Sequence, residues 1–339
     1  MDREEAPQKQ GRATRRTRIV CISDTHNSTA VKIPKGDVLI HAGDLTNQGS
    51  CSELSKAVQW LEKLDFEAKI VIAGNHDITL DKRFYAQLGH KFHNQEPQDL
   101  AACESLLTTS PTITYLCNES ATIRLRNPAG PMTEFKVYGS PHVPHCGLWA
   151  FCYGPDPHPD LKTLPSSSGK EIWDAIPLDT DILVTHTPAL AHCDYSPISE
   201  RHLGCEDLRQ ALGRVRPRLH VCGHVHQARG AERLRWQLGH EADEAYPASV
   251  ASTEIWQDPN PDPLSAKMSL IDLTRRGGNR PLDFENTLSS GGAASLDLGA
   301  GRRETCVVNC AITATSWPHM GGKKTRKPIV VDLDLPVGE

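Results

Sequence analysis

The sequence predicts an α/β fold. Short apolar runs that are rich in Val and Ile recur along most of the chain, as expected for strands that are covered on both faces. Segments with the period of an amphipathic helix lie between several of these runs. Strands that alternate with helices favour sheets flanked by helices, and a chain of 339 residues is long enough to bury a large core.

The strand candidates are continuous apolar runs rather than alternating ones, which is typical of strands in the interior of a sandwich. The first six span residues 18–23, 37–42, 69–73, 135–140, 181–186 and 219–223. Two further candidates lie near the C-terminus, at residues 305–313 and 328–335.

Two helices are predicted most clearly. Residues 50–64 place Leu54, Val58 and Leu61 on one stripe and begin with a serine, which is a preferred N-cap residue. Residues 205–215 have a similar pattern. Both segments follow or precede strand candidates directly, as the α/β prediction requires.

Composition divides the chain into three parts. Residues 1–16 are polar and charged without any hydrophobic period, and are expected to form a disordered tail. Residues 17–339 are expected to form one domain. Residues 240–303 are rich in Asp, Glu, Pro, Ser and Gly, which predicts a flexible acidic insertion that interrupts this domain.

Charge and cysteine content limit the classes of partner. The formal net charge of −5 gives no global attraction for nucleic acid or an acidic membrane. The first twenty residues contain no apolar segment typical of a secretory signal, and no run approaches the ~20 apolar residues of a membrane span. The 11 cysteines are scattered and form no CxxC pair. We therefore expect a cytoplasmic protein in a reducing compartment, with no membrane partner and no specific nucleic-acid partner.

Polar side chains follow five of the strand candidates. They are Asp24 and His26, Asp44, Asn75 with His76 and Asp77, His186, and His224 with His226. The carboxyl ends of parallel strands meet at one edge of an open sheet, and ligands bind at that edge. The sequence therefore predicts that these side chains converge.

Each of these residues alone has an ordinary explanation. An aspartate after a strand is usually a turn residue or a helix N-cap, and a histidine near a core is often only hydrogen-bonded. Five separate strand ends with metal-compatible residues are hard to explain in this way. The mixture of carboxylate, imidazole and amide ligands favours Mn, Fe, Zn or similar divalent ions over Mg or Ca. No cysteine joins the set, so a structural zinc is not indicated.

In their order along the chain, these residues resemble the pattern of the calcineurin-like metallophosphoesterase superfamily, which is D-x-H, G-D-x-x-x-x-G, G-N-H-D/E, H and G-H-x-H. The chain carries it as Asp24-Thr25-His26, Gly43-Asp44 to Gly49, Gly74 to Asp77, His186, and Gly223 to His226. The pattern is specific as an ordered set. The resemblance implies a four-layer α/β/β/α sandwich with the site at one edge of the sheets.

The resemblance also implies two divalent metal ions. Asp24, His26 and His226 would hold the first ion. Asn75, His186 and His224 would hold the second. Asp44 would bridge the two ions, and a hydroxide between them would attack phosphorus.

Two further residues receive catalytic roles from the resemblance. His76 would not bind metal but would face the leaving oxygen as general acid, or donate to the phosphoryl group. Asp77 could orient the imidazole ring of His76.

A closer resemblance lies outside the metal motifs. Residues 137–153, 171–190 and 204–230 resemble the metallophosphoesterase-domain-containing (239 brain-protein) family of animals, and residues 307–336 resemble its closing strand segment. Some animal members carry glycine in the place of His224, and the histidine here implies fuller binding of the second ion. That family is associated with phosphodiesterase activity, including activity on cyclic nucleotides.

The expected substrate is a small phosphodiester. The stretch GDLTNQG lacks the D-R-G arginine of the Ser/Thr protein phosphatases, which is a bidentate donor to phosphate. This departure disfavours a phosphoprotein. Two alternatives stay open: a phosphomonoesterase that acts on a small metabolite, and a weakly active regulatory or scaffold member of the family.

Overall fold

Two β-sheets lie face to face in the computed structural model, which describes residues 13–154, 168–237, 249–262, 265–277, 302–314, 322 and 324–338. In chain order the strands are β1 (Thr14–Ile22), β2 (Val38–Ala42), β3 (Ala68–Ile72), β4 (Ile113–Tyr115), β5 (Glu119–Arg124), β6 (Glu134–Ser140), β7 (Val143–Pro144), β8 (Cys152–Tyr153), β9 (Ile182–Thr185), β10 (Tyr195–Ser196), β11 (Arg201–His202), β12 (Leu219–Cys222), β13 (Gly230–Trp236), β14 (Val250–Ile255), β15 (Ser269–Asp272), β16 (Glu304–Asn309) and β17 (Ile329–Pro336). The helices are α1 (Cys51–Glu62), α2 (Lys82–Phe92), α3 (Leu100–Thr108), α4 (Gly169–Asp174) and α5 (Glu206–Val215).

The first sheet has six strands in the order β15-β17-β1-β2-β3-β4. Strands β1 to β4 are parallel, whereas β17 runs antiparallel to β1 along almost its whole length. Because β1, β2 and β3 point the same way, their carboxyl ends meet at one edge.

The second sheet has seven strands in the order β14-β13-β16-β12-β9-β6-β5. Its centre, from β16 through β12 and β9 to β6, is parallel. The flanking strands β13, β14 and β5 are antiparallel to their neighbours. The carboxyl ends of β9, β12 and β16 therefore also meet at one edge.

Strand β1 shows why the apolar runs are continuous. Ile19 and Cys21 belong to the core between the two sheets, whereas Val20 and Ile22 face the helices on the outside of the first sheet. All four side chains are completely buried. A strand that is covered on both faces needs apolar residues at every position.

The helices form the two outer layers. Helices α1, α2 and α3 pack on the first sheet, and α4 and α5 pack on the second. Helix α1 begins after Ser50, whose side chain caps the amide of Glu53 while Glu53 bonds back to the amide of Ser50. Such a capping box stabilises a helix by about 1 kcal/mol. The resulting order of helix, sheet, sheet and helix layers confirms the α/β/β/α sandwich.

The main strand and helix predictions are confirmed, but the boundaries differ at the N-terminus. Strand β1 begins at Thr14 and pairs with β17 from that residue onward. Residues 14–16 of the expected tail are therefore strand, because backbone pairing does not require apolar side chains and Arg16 lies 3.8 Å from Asp332. Residues 1–12 are outside the described residues.

The expected flexible insertion at 240–303 is wrong where it covers two strands. Strand β14 extends the second sheet beside β13, and β15 pairs in parallel with β17 in the first sheet. Ile271 of β15 joins the core between the sheets, which offsets the ordering entropy of this polar stretch. The rest of the interval includes residues 240–248, 263–264 and 278–301, which the structure does not describe.

The two strand-end edges coincide at one side of the sandwich. Ser23, directly after β1, forms a parallel bridge with Ala311, which follows β16 of the other sheet. Side chains that follow the parallel strands of both sheets therefore face one another. None of the helices in the described ranges has the length and hydropathy needed to cross a bilayer.

Candidate metal centre

The shared edge collects side chains from both sheets. Loops after β1, β2 and β3 supply Asp24, His26, Asp44 and Asn75, and loops after β9 and β12 supply His186, His224 and His226. Asp24 and His186 are completely buried, and Asp44 is 2% exposed. Every side chain that the sequence predicts as a metal ligand therefore reaches the same region.

The local backbone at these loops is unusual. Asp24, His26, Asp44 and His224 have φ values of 54°, 43°, 54° and 66°, in the left-handed region that non-glycine residues seldom adopt. Such conformations cost free energy and persist where the surrounding structure enforces them, often at functional sites. Gly43 has φ +94°, and a Cβ there would lie 2.6 Å from Nδ1 of His186.

The first group consists of Asp24, His26 and His226. Nε2 of His226 lies 3.2 Å from Oδ1 of Asp24 and 3.4 Å from Nε2 of His26. Potential ligand atoms of all three residues lie within 4.8 Å of one another. Atoms at these separations could hold one cation.

Asp44 lies between this group and a second one. Its Oδ2 is 3.6 Å from Nε2 of His26 and 3.3 Å from Nε2 of His186. Asp24, Asp44 and His186 form a further group with ligand atoms within 4.8 Å, and so do His26, Asp44 and His76. Because its carboxylate lies close to a histidine on each side of the site, Asp44 is a shared carboxylate.

The second side of the site contains an amide and two imidazoles. Oδ1 of Asn75 lies 3.0 Å from Nε2 of His186. The ring centroids of His186 and His224 are 5.1 Å apart. The backbone amide of His224 donates to the carboxylate of Asp24 at 3.0 and 3.1 Å, which ties the two sides together.

The convergence of these side chains agrees with a match to a known protein family. A family model described as "Calcineurin-like phosphoesterase" matches residues 17–228, a range that includes all of these side chains. The chain belongs to the calcineurin-like phosphoesterase family. The family that the strand-end residues predicted is therefore confirmed.

Relatives of this chain include animal and fungal proteins. Metallophosphoesterase domain-containing protein 1 of Homo sapiens and of Mus musculus is 39% identical over 224 residues, which are 63% of this chain and 62% of each relative. "Probable rhamnogalacturonate lyase C" of Emericella nidulans is 42% identical over 230 residues, which are 67% of this chain but 19% of that protein. The chain thus spans less than two thirds of the length of these relatives. The predicted resemblance to the metallophosphoesterase-domain-containing family is confirmed.

Solved structures are more distant. The protein TT1561 of Thermus thermophilus has 11% identity and a TM-score of 0.35, and the match covers 61% of this chain and 81% of that one. Purple acid phosphatase PPD1 of yellow lupin has 13% identity and a TM-score of 0.33, and the match covers 68% of this chain and 40% of that one. These scores are too low for residue positions to be compared.

Charge and protonation at the site suit metal binding. Burial lowers the pKa of His26 to about 4 and that of His224 to about 3, so both imidazoles are neutral near pH 7. Burial would raise the pKa of Asp44, but His186 and His76 hold it well below the ordinary value. Burial would lower the pKa of His186, but the charge of Asp44 raises it to about 9. A positive charge is therefore favoured beside Asp44.

Backbone carbonyls orient two of the imidazoles toward the site. Nδ1 of His26 donates to the carbonyl of Thr46 at 3.0 Å, and Nδ1 of His186 donates to the carbonyl of Ala42 at 2.8 Å. A carbonyl can only accept, so both Nδ1 atoms carry a proton and each Nε2 faces the carboxylates. The raised pKa of His186 adds a second proton on its Nε2, and a bound cation would take the place of that proton. Such a hydrogen bond from the ring nitrogen that does not face the ligand site is typical of metal-ligating histidines. The donor set therefore fits divalent cations.

The imidazole of His76 is held differently from the sequence prediction. Its Nδ1 donates to the carbonyl of Asn47 at 2.8 Å, and its backbone amide donates to Oδ1 of Asp44 at 2.8 Å. Its ring meets that of His26 edge-on, with centroids 4.8 Å apart. The turn that carries His76 is thus joined to the shared carboxylate.

The expectation that Asp77 orients the ring of His76 is wrong. The Asp77 carboxylate is completely buried and accepts from the amides of Leu45, Thr46 and Gly74 and from the hydroxyl of Thr46. Burial and the charge of Asp44 raise its pKa to about 6, although hydrogen bonds from the Thr46 hydroxyl and the amides of Gly74 and Leu45 act in the opposite direction. Asp77 holds the loop after β2 against the loop after β3, because backbone amides of both loops donate hydrogen bonds to its carboxylate.

Two residues at the site were not predicted. Asn309 ends β16, is completely buried, and donates to the carbonyls of Val225 and Cys193 at 3.0 Å each. Asn309 could have been identified from the sequence, because it lies at the end of a strand like the predicted ligands. Trp149 stacks on His76 with centroids 3.8 Å apart, and no sequence pattern links these two residues.

Proposed function

We propose that the protein is a metal-dependent phosphodiesterase that acts on small phosphodiesters, cyclic nucleotides included. The supporting observation is that two buried carboxylates, Asp24 and Asp44, converge with imidazoles from both sheets within 4.8 Å. Buried carboxylates so close together need compensating positive charge. Membership of the calcineurin-like phosphoesterase family supports the same reaction class.

Two divalent cations would supply that charge. Asp24, His26 and His226 would hold the first cation. Asn75, His186 and His224 would hold the second. Asp44 would lie between them, and the mixed donors favour Mn, Fe, Zn or similar ions. When bound, such cations neutralise phosphoryl charge and make water a better nucleophile near neutral pH.

His76 would handle the proton of the leaving group. Its Nδ1 is committed to the carbonyl of Asn47, so Nε2 is the nitrogen that can exchange a proton with a substrate. In the imidazolium form, Nε2–H would donate to the leaving oxygen as the P–O bond breaks. The hydrogen bond from its amide to Asp44 keeps this imidazole in a fixed relation to the shared carboxylate.

The preference for a diester follows from charge. A monoester dianion carries more charge than a diester and is best matched by an additional bidentate donor such as arginine. The loop after Asp44 carries the exposed Gln48 where the protein phosphatases carry arginine. A small diester needs less compensation, and this favours it as substrate.

We also propose that this activity is cytoplasmic. All 11 cysteines lie within the described ranges, and none of them forms a disulfide. This usage is typical of proteins in a reducing compartment.

The test is hydrolysis by the metal-reconstituted protein. The full chain is stripped with a chelator, reloaded separately with Mn, Zn and Fe, and assayed with bis-p-nitrophenyl phosphate, p-nitrophenyl phosphate and cyclic nucleotides. We expect diester turnover to exceed monoester turnover. Asp44→Asn is expected to lose bound metal and to lower turnover by about 100-fold or more.

Asp194→Asn is the matched control. Asp194 is also a buried aspartate that contacts a histidine, with Oδ1 2.5 Å from Nδ1 of His202. Among the described residues, however, it belongs to none of the clusters of potential metal ligands. We expect Asp194→Asn to keep metal and activity. Turnover of the monoester alone would replace the proposal with a phosphomonoesterase, and an inert metal-loaded protein would favour a regulatory role.

A further inference from the structure

The loop between β7 and β8 covers the turn that carries His76. The indole of Trp149 lies on the imidazole of His76, with ring centroids 3.8 Å apart and planes tilted by 32°. The next residue, Ala150, donates its amide to the carbonyl of Asn75 at 3.1 Å. Two successive residues of the loop therefore contact two successive residues of the turn.

The loop that carries Trp149 is itself anchored. The amide of Phe151 donates to Oδ2 of Asp81, the N-cap residue of α2, at 2.9 Å. Ala150 and Phe151 are buried, and the indole of Trp149 also meets the ring of Phe92 on α2. Trp149 is thus held from several sides, so that its indole presents a fixed face to His76.

We propose that Trp149 is a positioning residue that sets the orientation of the His76 imidazole. This inference rests on the proposed function, in which His76 protonates the leaving oxygen. The carbonyl of Asn47 fixes one ring atom, Nδ1, and the χ2 torsion of histidine has broad minima. A single hydrogen bond therefore permits the ring to swing, whereas an aromatic face against the ring keeps Nε2 in one direction.

Three substitutions test the contact: Trp149→Phe keeps an aromatic face, Trp149→Leu keeps apolar bulk without one, and Trp149→Ala removes both. Trp60→Phe is the matched control, because Trp60 is a half-buried tryptophan in the same core cluster. Aryl methyl phosphodiesters with phenyl and p-nitrophenyl leaving groups are the substrates. A poor leaving group depends more on protonation than a good one.

For the phenyl ester, we expect Trp149→Ala and Trp149→Leu to lower kcat by about 10- to 100-fold with KM little changed. The loss should be smaller for the p-nitrophenyl ester. Trp149→Phe should retain most of the activity, and Trp60→Phe should match the wild type. Equal losses for both leaving groups would overturn the proposal, because they would indicate a purely structural role.

A double-mutant cycle separates positioning from direct substrate contact. On a His76→Ala background, Trp149→Ala is expected to cause no further loss, since there is no imidazole left to position. A loss that persists on this background would overturn the proposal and indicate that Trp149 contacts the substrate or supports the fold.

A spectroscopic readout tests the contact without catalysis. In the metal-free protein, the ring current of Trp149 should shift the Cε1–H proton resonance of His76, which is assigned by its loss in His76→Gln. Trp149→Leu should move this resonance back toward its ordinary position, and Trp60→Phe should leave it in place. An unmoved resonance would overturn the positioning role, whereas an inert wild-type enzyme would overturn the proposed function and not this contact.

Discussion

The Nε2 atoms of His26 and His226 lie 3.4 Å apart, although the two residues are 200 positions apart in sequence and follow strands of different sheets. The proton of His26 is on Nδ1, which donates to the carbonyl of Thr46, so its Nε2 directs a lone pair at His226. Oδ1 of Asp24 is also 3.2 Å from Nε2 of His226. A divalent cation relieves the crowding of these electron-rich atoms better than a single proton can.

Metal binding should therefore stabilise the fold. A cation that binds only the folded chain adds about 2.7 kcal/mol to the free energy of unfolding at a free concentration of 100 times its Kd. We expect thermal denaturation to move to higher temperature with Mn or Zn and back with a chelator. His226→Ala should lose most of this shift.

His202→Ala is the control for that experiment, because His202 also contacts a buried aspartate, Asp194, outside the metal groups. It should retain the metal-dependent shift. An equal loss of the shift in both variants would contradict a cation at His226.

Asn309 should control the turn between His224 and His226. Its side-chain amide donates to the carbonyl of Val225, which lies between the two histidines, and to that of Cys193. In Asn309→Asp a carboxylate would face both carbonyls. We expect metal affinity, measured by competition with a chelating dye, to fall by about tenfold or more. The exposed Asn127→Asp should bind metal like the wild type.

The sequence predicted the potential metal ligands because two local features of the sequence occur together at them. A continuous apolar run marks a buried parallel strand, and a polar residue directly after it marks the edge where such strands converge. Asp24, Asp44 and His186 carry both signals. The partner of His76 could not be read in this way, since the carbonyl of Asn47 is a backbone atom that every residue possesses.

Tertiary contacts explain the remaining differences. Asp77 follows His76 directly in sequence, but its carboxylate accepts hydrogen bonds from three backbone amides. Only the folded loops bring these amides together. Trp149 reaches His76 because a loop more than seventy residues later is anchored to Asp81. The strand at Ser269–Asp272 lies in a polar region and gains its apolar neighbours from β17.

Gly74 should be intolerant of any side chain. A Cβ at this position would collide with the amide and the carboxylate of Asp44, and would lie 2.8 Å from Cε1 of His186. Because the amide of Asp44 is backbone and the other atoms are buried, the neighbours cannot move aside easily. We expect Gly74→Ala to lower the free energy of unfolding by about 1–3 kcal/mol and to abolish metal binding.

The measurements are urea denaturation and metal content of the folded fraction. Gly130→Ala is the comparison, because a Cβ at that exposed turn would have no contact closer than 3.3 Å. A Gly74→Ala protein that binds metal with wild-type affinity would show that Asp44 and His186 tolerate displacement.

The stability of the chain at mildly acidic pH should depend on His220, a completely buried residue of β12 outside the metal groups. Its Nε2 lies 2.8 Å from the hydroxyl of Thr185, which donates onward to the carbonyl of Thr187, so Nε2 carries the proton. Nδ1 has no hydrogen-bond partner within the part of the chain that the structure describes, and a second proton there would be buried without an acceptor.

Burial, together with the charge of His192, lowers the pKa of His220 to about 3, whereas an unfolded histidine has a pKa near 6.5. The unfolded chain therefore binds a proton that the folded chain rejects, and stability falls as the pH drops from about 6.5 toward 3. Between pH 8 and pH 5 this residue should account for a loss of about 2 kcal/mol. Urea denaturation of the metal-free protein should show a shallower pH dependence for His220→Gln than for the wild type, while the exposed His90→Gln should follow the wild type. Parallel curves for all three proteins would show that His220 can be protonated inside the fold without penalty.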